Sequence, residues 1–102
     1  MAIALVLEFA GGTQEQYDRV MDKLGLKGTE NWPQGSILHL AGPTEKGWEV
    51  VDVWESRRDF DRFLAERLRR AVQEVGLPAP TPKEFTVYNS MGLRSPVRAG
   101  TR

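Results

Sequence analysis

Large apolar side chains occupy every second position from Ile3 to Phe9, with Ala4, Val6 and Glu8 between them. That period of two predicts a strand with one core face and a second, smaller face suited to a cavity or an interface. Gly11 and Gly12 end it. Thr13 with Gln16 three residues on forms a capping box, and Tyr17, Val20, Met21 and Leu24 then recur at helical spacing up to Gly25, which predicts a first helix of about three turns. Alternation returns from Ser36 to Gly42 and from Trp48 to Glu55, so the intervening 43–47 turn makes a hairpin. Ser56 and Asp59 open a second helix. Its stripe runs through Phe60, Phe63, Leu64, Leu68, Ala71, Val72 and Val75 and stops at Gly76 and Pro78. Pro78, Pro80 and Pro82 forbid more helix, and Glu84 to Asn89 alternates as a last strand.

The order βαββαβ predicts an α+β, ferredoxin-like fold, a four-stranded antiparallel sheet with both helices on one face. An even-numbered loop centred on Glu45 and Lys46 pairs Leu38 with Val53, Leu40 with Val51 and Ala41 with Val50, and it sets Ile37 opposite Trp54. Leu40, Val51, Val53 and Val87 are then expected under the helices with Leu5 and Leu7. The other face receives Ile37, Trp48, Val50, Trp54, Thr86 and Tyr88, too apolar for water and suited to a second copy of the chain, so a homodimer with facing sheets is expected.

The same register places His39, the sole histidine, opposite Asp52. An imidazole oriented by a carboxylate is the arrangement a general base needs, which makes His39 and Asp52 the candidate catalytic pair. Ile37, Trp48, Val50, Trp54, Thr86 and Tyr88 are the candidate substrate-binding residues around it. The alternative is a satisfied buried pair that only sets sheet register or dimer geometry.

Composition narrows the partners. The 102 residues carry 14 basic and 14 acidic side chains, so no net field draws the protein to nucleic acid or to an anionic membrane. The opening apolar run is too short for a signal sequence or a membrane span. Cysteine is absent, which excludes thiolate chemistry and fits a reducing, cytoplasmic setting. A lone histidine and no cysteine also argue against a tightly bound zinc, iron or haem, so no cofactor is expected. Residues 1–91 are expected to form the one domain, with 92–102 a basic tail.

With these elements in place, Trp54, Glu55, Ser56 and Phe60, a tryptophan closing the third strand followed by Glu-Ser and an aromatic on the second helix, resemble the dimeric α/β-barrel superfamily, in particular its antibiotic-biosynthesis-monooxygenase-like members. The likeness covers residues 2–90, and the 33–43 segment is similar to members of that superfamily with no assigned substrate. Relatives of this kind oxidise aromatic polyketides without metal or flavin, by deprotonating an electron-rich phenol whose anion reacts with dioxygen. The resemblance implies His39 as base, Asp52 as its orienter, Trp54 as a pocket wall and a flat phenolic small molecule as substrate. Haem-degrading relatives hold iron with a histidine on the second helix; this chain has Phe63 and Leu64 there, so haem ligation is not implied. The alternative is a non-catalytic homodimer that binds a small ligand or serves a structural role. A pocket of about 300 Å³ or more reaching His39 would favour the enzyme.

Overall fold

The computed structural model describes residues 1–26 and 31–92; residues 27–30 and 93–102, the latter being all of the expected basic tail but Gly92, lie outside the described residues. The elements are β1 (Ile3–Ala10), α1 (Gln14–Leu24), β2 (Ser36–Thr44), β3 (Gly47–Trp54), α2 (Arg57–Phe63), a π-helical turn (Leu64–Leu68), α3 (Arg69–Val75) and β4 (Thr81–Thr86). One antiparallel sheet of order β2-β3-β1-β4 carries the helices on one face, which is the expected ferredoxin-like arrangement.

Local chemistry sets the helix ends where the pattern puts them. The Thr13 hydroxyl accepts from the Gln16 N–H while the Gln16 side chain accepts from the Thr13 N–H, satisfying two donors that a helix start leaves open. Gly25 takes the left-handed conformation at φ 73°, with its N–H on the Asp22 carbonyl and the Leu26 N–H on the Met21 carbonyl. This is a Schellman ending, and Leu26 buries itself in the core as that motif's apolar contact. Gly76 and Leu77 close α3 similarly. The α2 to α3 segment is a single helix interrupted by one wide turn, in which the Arg69 N–H reaches the Leu64 carbonyl. Leu64–Leu68 contains ordinary helix formers, and nothing in it marks the turn beforehand.

The hairpin register is as expected from Leu38↔Val53 through His39↔Asp52, Leu40↔Val51 and Ala41↔Val50 to Thr44↔Gly47. It differs at one place. A bulge at Ile37 puts Ser36, not Ile37, opposite Trp54, and Ile37 turns outward, half exposed.

The assignment of faces is reversed. β1 pairs with β3 through Ile3↔Trp54, Leu5↔Asp52, Leu7↔Val50 and Phe9↔Trp48, and residues directly opposite in an antiparallel pair share a face. The core-facing odd positions of β1 therefore bring Trp48, Val50, Asp52 and Trp54 under the helices, where all four are buried. Leu38, Leu40, Val51 and Val53 lie on the open face with Val6 and Phe85. Leu40 and Phe85 are 54% and 60% exposed. The core comprises a larger cluster that joins Leu7, Phe9, Trp48 and Val50 to Val20 and Leu24 of α1 and to Ala71, and a smaller one of Ile3, Leu5, Trp54 and Phe60. Phe63 and Leu68 pack on both.

β4 also begins earlier than its prolines suggested. Thr81–Thr86 pairs only with β1, so this is an edge strand, on which Pro82 needs no ladder donor. The Val87 N–H continues the pairing to the Ala2 carbonyl at 2.9 Å, while Tyr88 beyond it is 97% exposed.

The face assignment is checked by urea unfolding of dilute protein. Leu5→Ala, truncating a residue 2% exposed, should cost about 2–5 kcal/mol, and Leu40→Ala should stay within about 0.5 kcal/mol of the parent. Equal costs would show that the faces are wrongly assigned.

Candidate functional site

Three side chains from three elements meet between the sheet and α1. The capping box aims the first turn of α1 so that Tyr17 faces the sheet, β2 supplies His39 and β3 supplies Asp52. His39 Nδ1 lies 2.6 Å from Asp52 Oδ1, and His39 Nε2 lies 2.5 Å from the Tyr17 hydroxyl. Trp54 Nε1 donates to the other carboxylate oxygen at 3.4 Å. Asp52 is buried, and the His39 side chain is 18% exposed. The Tyr17 and His39 ring planes are nearly parallel, at 8°, with the 5.9 Å between their centres running along the hydrogen bond, and the Trp32 ring lies 5.6 Å from the imidazole, tilted by 49°.

The phenol fixes one proton of the network. Burial, and after it the charges of Asp52 and Asp18, push the Tyr17 phenol up from 10.0 to about 12, so it keeps its proton at neutral pH. When the phenol donates to Nε2, the ring proton sits on Nδ1 and faces Asp52. The result is a chain, Tyr17 O–H to His39 to Asp52, with a neutral phenol at its outer end. Its chemical capacity is to pass one proton inward from Tyr17 to His39, with Asp52 stabilising the imidazolium that forms.

The sequence-predicted site residues divide. His39, Asp52, Val50 and Trp54 line one cavity together with Tyr17 and Trp32. Trp48 lies on the same face but packs in the core against Tyr17, with 5.3 Å between ring centres, and its buried Nε1 has no hydrogen-bond partner among the described residues. Ile37, Thr86 and Tyr88 do not join the cavity: Ile37 sits at the bulge, and Thr86 and Tyr88 are exposed at the sheet edge. Glu8, opposite Glu49, is on the other face of the sheet. The pair was expected between two facing sheets; it lies instead inside one chain, against α1. Helical spacing alone marks Tyr17 only as part of an apolar stripe. Its signal was available, since a tyrosine on a core-facing helix stripe needs a partner for its hydroxyl.

The cavity is small. Its volume is about 50 Å³, room for a water or a diatomic gas and well below the roughly 300 Å³ of a ligand pocket. Among the described residues no group of three or more His, Cys, Asp or Glu side chains is placed to hold a metal ion, and no helix is long and apolar enough to cross a membrane.

No protein-family model matches the chain, and no curated protein matches it. Solved structures do. A putative antibiotic biosynthesis monooxygenase from Chloroflexus aurantiacus aligns with a TM-score of 0.64 at 16% identity, covering 92% of this chain and 100% of that one. SnoaB from Streptomyces nogalater, a cofactor-independent oxygenase in a point-mutant form, aligns at 0.64 and 14%, covering 89% and 97%. The chain has their fold. A third, the ActVA-Orf6 monooxygenase of Streptomyces coelicolor in complex with nanaomycin D, aligns at 0.54 and 22%, covering 88% and 89%.

Tyr17 also makes stability depend on pH. A phenol whose folded pKa lies above its unfolded value leaves the native state holding the extra proton between pH 10 and about 12, so stability is complete below pH 10 and falls as pH rises towards 12. Urea midpoints measured from pH 8 to 12 should show this decline, and Tyr17→Phe should flatten it.

Proposed function

We propose that the protein is a cofactor-independent, monooxygenase-like enzyme acting on a flat phenolic small molecule, with the Tyr17–His39–Asp52 chain as its proton acceptor. The observation that carries this reading is the hydrogen-bonded chain itself, which ends at a cavity on the helix side of the sheet. The fold shared with solved oxygenases supports the reaction class. Tyr17 takes the place expected for His39 at the outer end: a substrate phenol gives its proton to the Tyr17 oxygen as Tyr17 passes its own to His39 Nε2. The phenolate then supplies the electrons to dioxygen. In an anthrone-like ring a CH2 group becomes C=O and the second oxygen atom leaves as water, so one substrate and one O2 balance without an added reductant. The ring reaches the chain by displacing Leu68 and Val72, which line the cavity and are only partly buried. The cysteine-free composition supports a cytoplasmic setting.

The small cavity volume favours a second reading, a non-catalytic protein in which Tyr17, His39 and Asp52 form a satisfied network that locks α1 to the sheet. Oxygen uptake with anthrone and hydroquinone substrates separates the two. As an enzyme, the protein should lose at least about tenfold in turnover on Tyr17→Phe and more on His39→Ala, with Asp52→Asn intermediate and the fold intact by circular dichroism. A parent protein inert to all these substrates would leave the structural reading.

We also propose the homodimer with facing sheets, its interface formed by the residues that the open face carries in the structure. Val6, Leu38, Leu40, Val51, Val53 and Phe85 form one apolar patch, self-complementary about a two-fold axis. In light scattering at micromolar concentration the parent should have twice the chain mass and Leu40→Asp should shift it to monomer; a monomeric parent would overturn the assignment.

A further inference from the structure

A second, wider recess of about 470 Å³ opens between the 57–75 helix and β4, within the range of small-molecule sites. Leu5, Phe60 and Leu64 give it an apolar floor, and its rim carries Arg57, Arg69, Gln73 and Glu84. Only a thin partition separates it from the cavity at His39, because Leu7, Phe9, Leu68, Val72 and Leu77 line both.

The rim charges are unequal in their engagement. Arg57 bonds Asp61 at 2.9 Å and also Glu84, so its charge and that of Glu84 are spent on each other. Arg69 makes no ion pair or side-chain hydrogen bond among the described residues. The π-helical turn accounts for its position. Since the Arg69 N–H bonds the Leu64 carbonyl, Arg69 stands one turn directly beyond a groove-lining leucine, and such wide turns recur at functional sites. An apolar slot with one uncompensated guanidinium at its mouth is complementary to a flat body bearing one anionic group.

We propose that this groove binds a small planar aromatic carboxylate, with its ring against Leu64 and Leu68 and its carboxylate on Arg69. The inference rests on the reading of the Tyr17–His39–Asp52 chain as a proton acceptor and gives that substrate its class, a flat phenolic carboxylic acid whose reacting end points past Leu68.

The probes are 2-naphthoate and its neutral amide, titrated into the full-length protein by calorimetry, with amide resonances followed in parallel. The carboxylate should bind at least about tenfold tighter than the amide, and Arg69→Gln should reduce that preference below about threefold, as loss of a charge-assisted contact requires. Ala79→Trp, at an exposed position lining the groove, should weaken both probes. The Gln73 and Ala79 signals should move while those of Leu40 and Val51 stay fixed. Equal affinity of the two probes, an unchanged preference in Arg69→Gln, or shifts confined to Leu40 and Val51 would overturn the proposal. Because binding is read without turnover, naphthoate held in the groove of an inert protein would defeat only the enzymatic reading. Turnover of phenols without groove binding would defeat only this one.

Discussion

The antiparallel register between β1 and β3 decides what this molecule is. Leu5 opposite Asp52 puts a carboxylate on the same face as a row of core side chains, and a carboxylate taken out of water is costly unless its oxygens are bonded. The consequences propagate outward. His39, directly across the hairpin, supplies one bond to Asp52 and Trp54 supplies another; His39 then needs a partner at Nε2, and Tyr17 on α1 supplies it. One pairing offset thus recruits side chains from two strands and one helix face. The helix is held to the sheet by a polar chain as well as by Val20 and Leu24.

Legibility tracked the distance over which information acts. Helix starts at Thr13 and Ser56, the ending at Gly25 and the pairing of His39 with Asp52 all depend on neighbours within a turn or a hairpin, and all stood in the pattern of residues. The face each strand presents depends on β1 meeting β3 across a long connection, where no turn geometry constrains the offset. Both faces of the hairpin are apolar, Leu38, Leu40, Val51 and Val53 on one and Trp48, Val50 and Trp54 on the other, so hydrophobicity could not choose between them. The site followed the same rule: the pair was visible, and its third member was hidden because it sits on another element.

The two faces of the sheet differ in kind. The aliphatic open face is broad and lacks the buried ionisable group that the inner face carries. The inner face holds the polar chain, the narrow cavity and the wider groove, with Leu68 and Val72 between the two spaces. Side-chain rotation at that partition is a far smaller change than separating a helix from the sheet, which confines any adaptation to a few flexible residues.

The bulge at Ile37 makes the chain unequally tolerant of changes in length. Between Leu38 and Trp54 a single inserted or deleted residue would exchange inside for outside along a whole strand, so only changes in pairs preserve the pattern. Ahead of Ser36 that parity constraint is already relaxed by one unpaired residue, and the small Ser36, rather than the bulky Ile37, borders the cavity. Variation in loop length among descendants of this sequence should therefore accumulate just before β2, where it reshapes the wall of the cavity and leaves the hydrogen-bonded chain beneath it untouched.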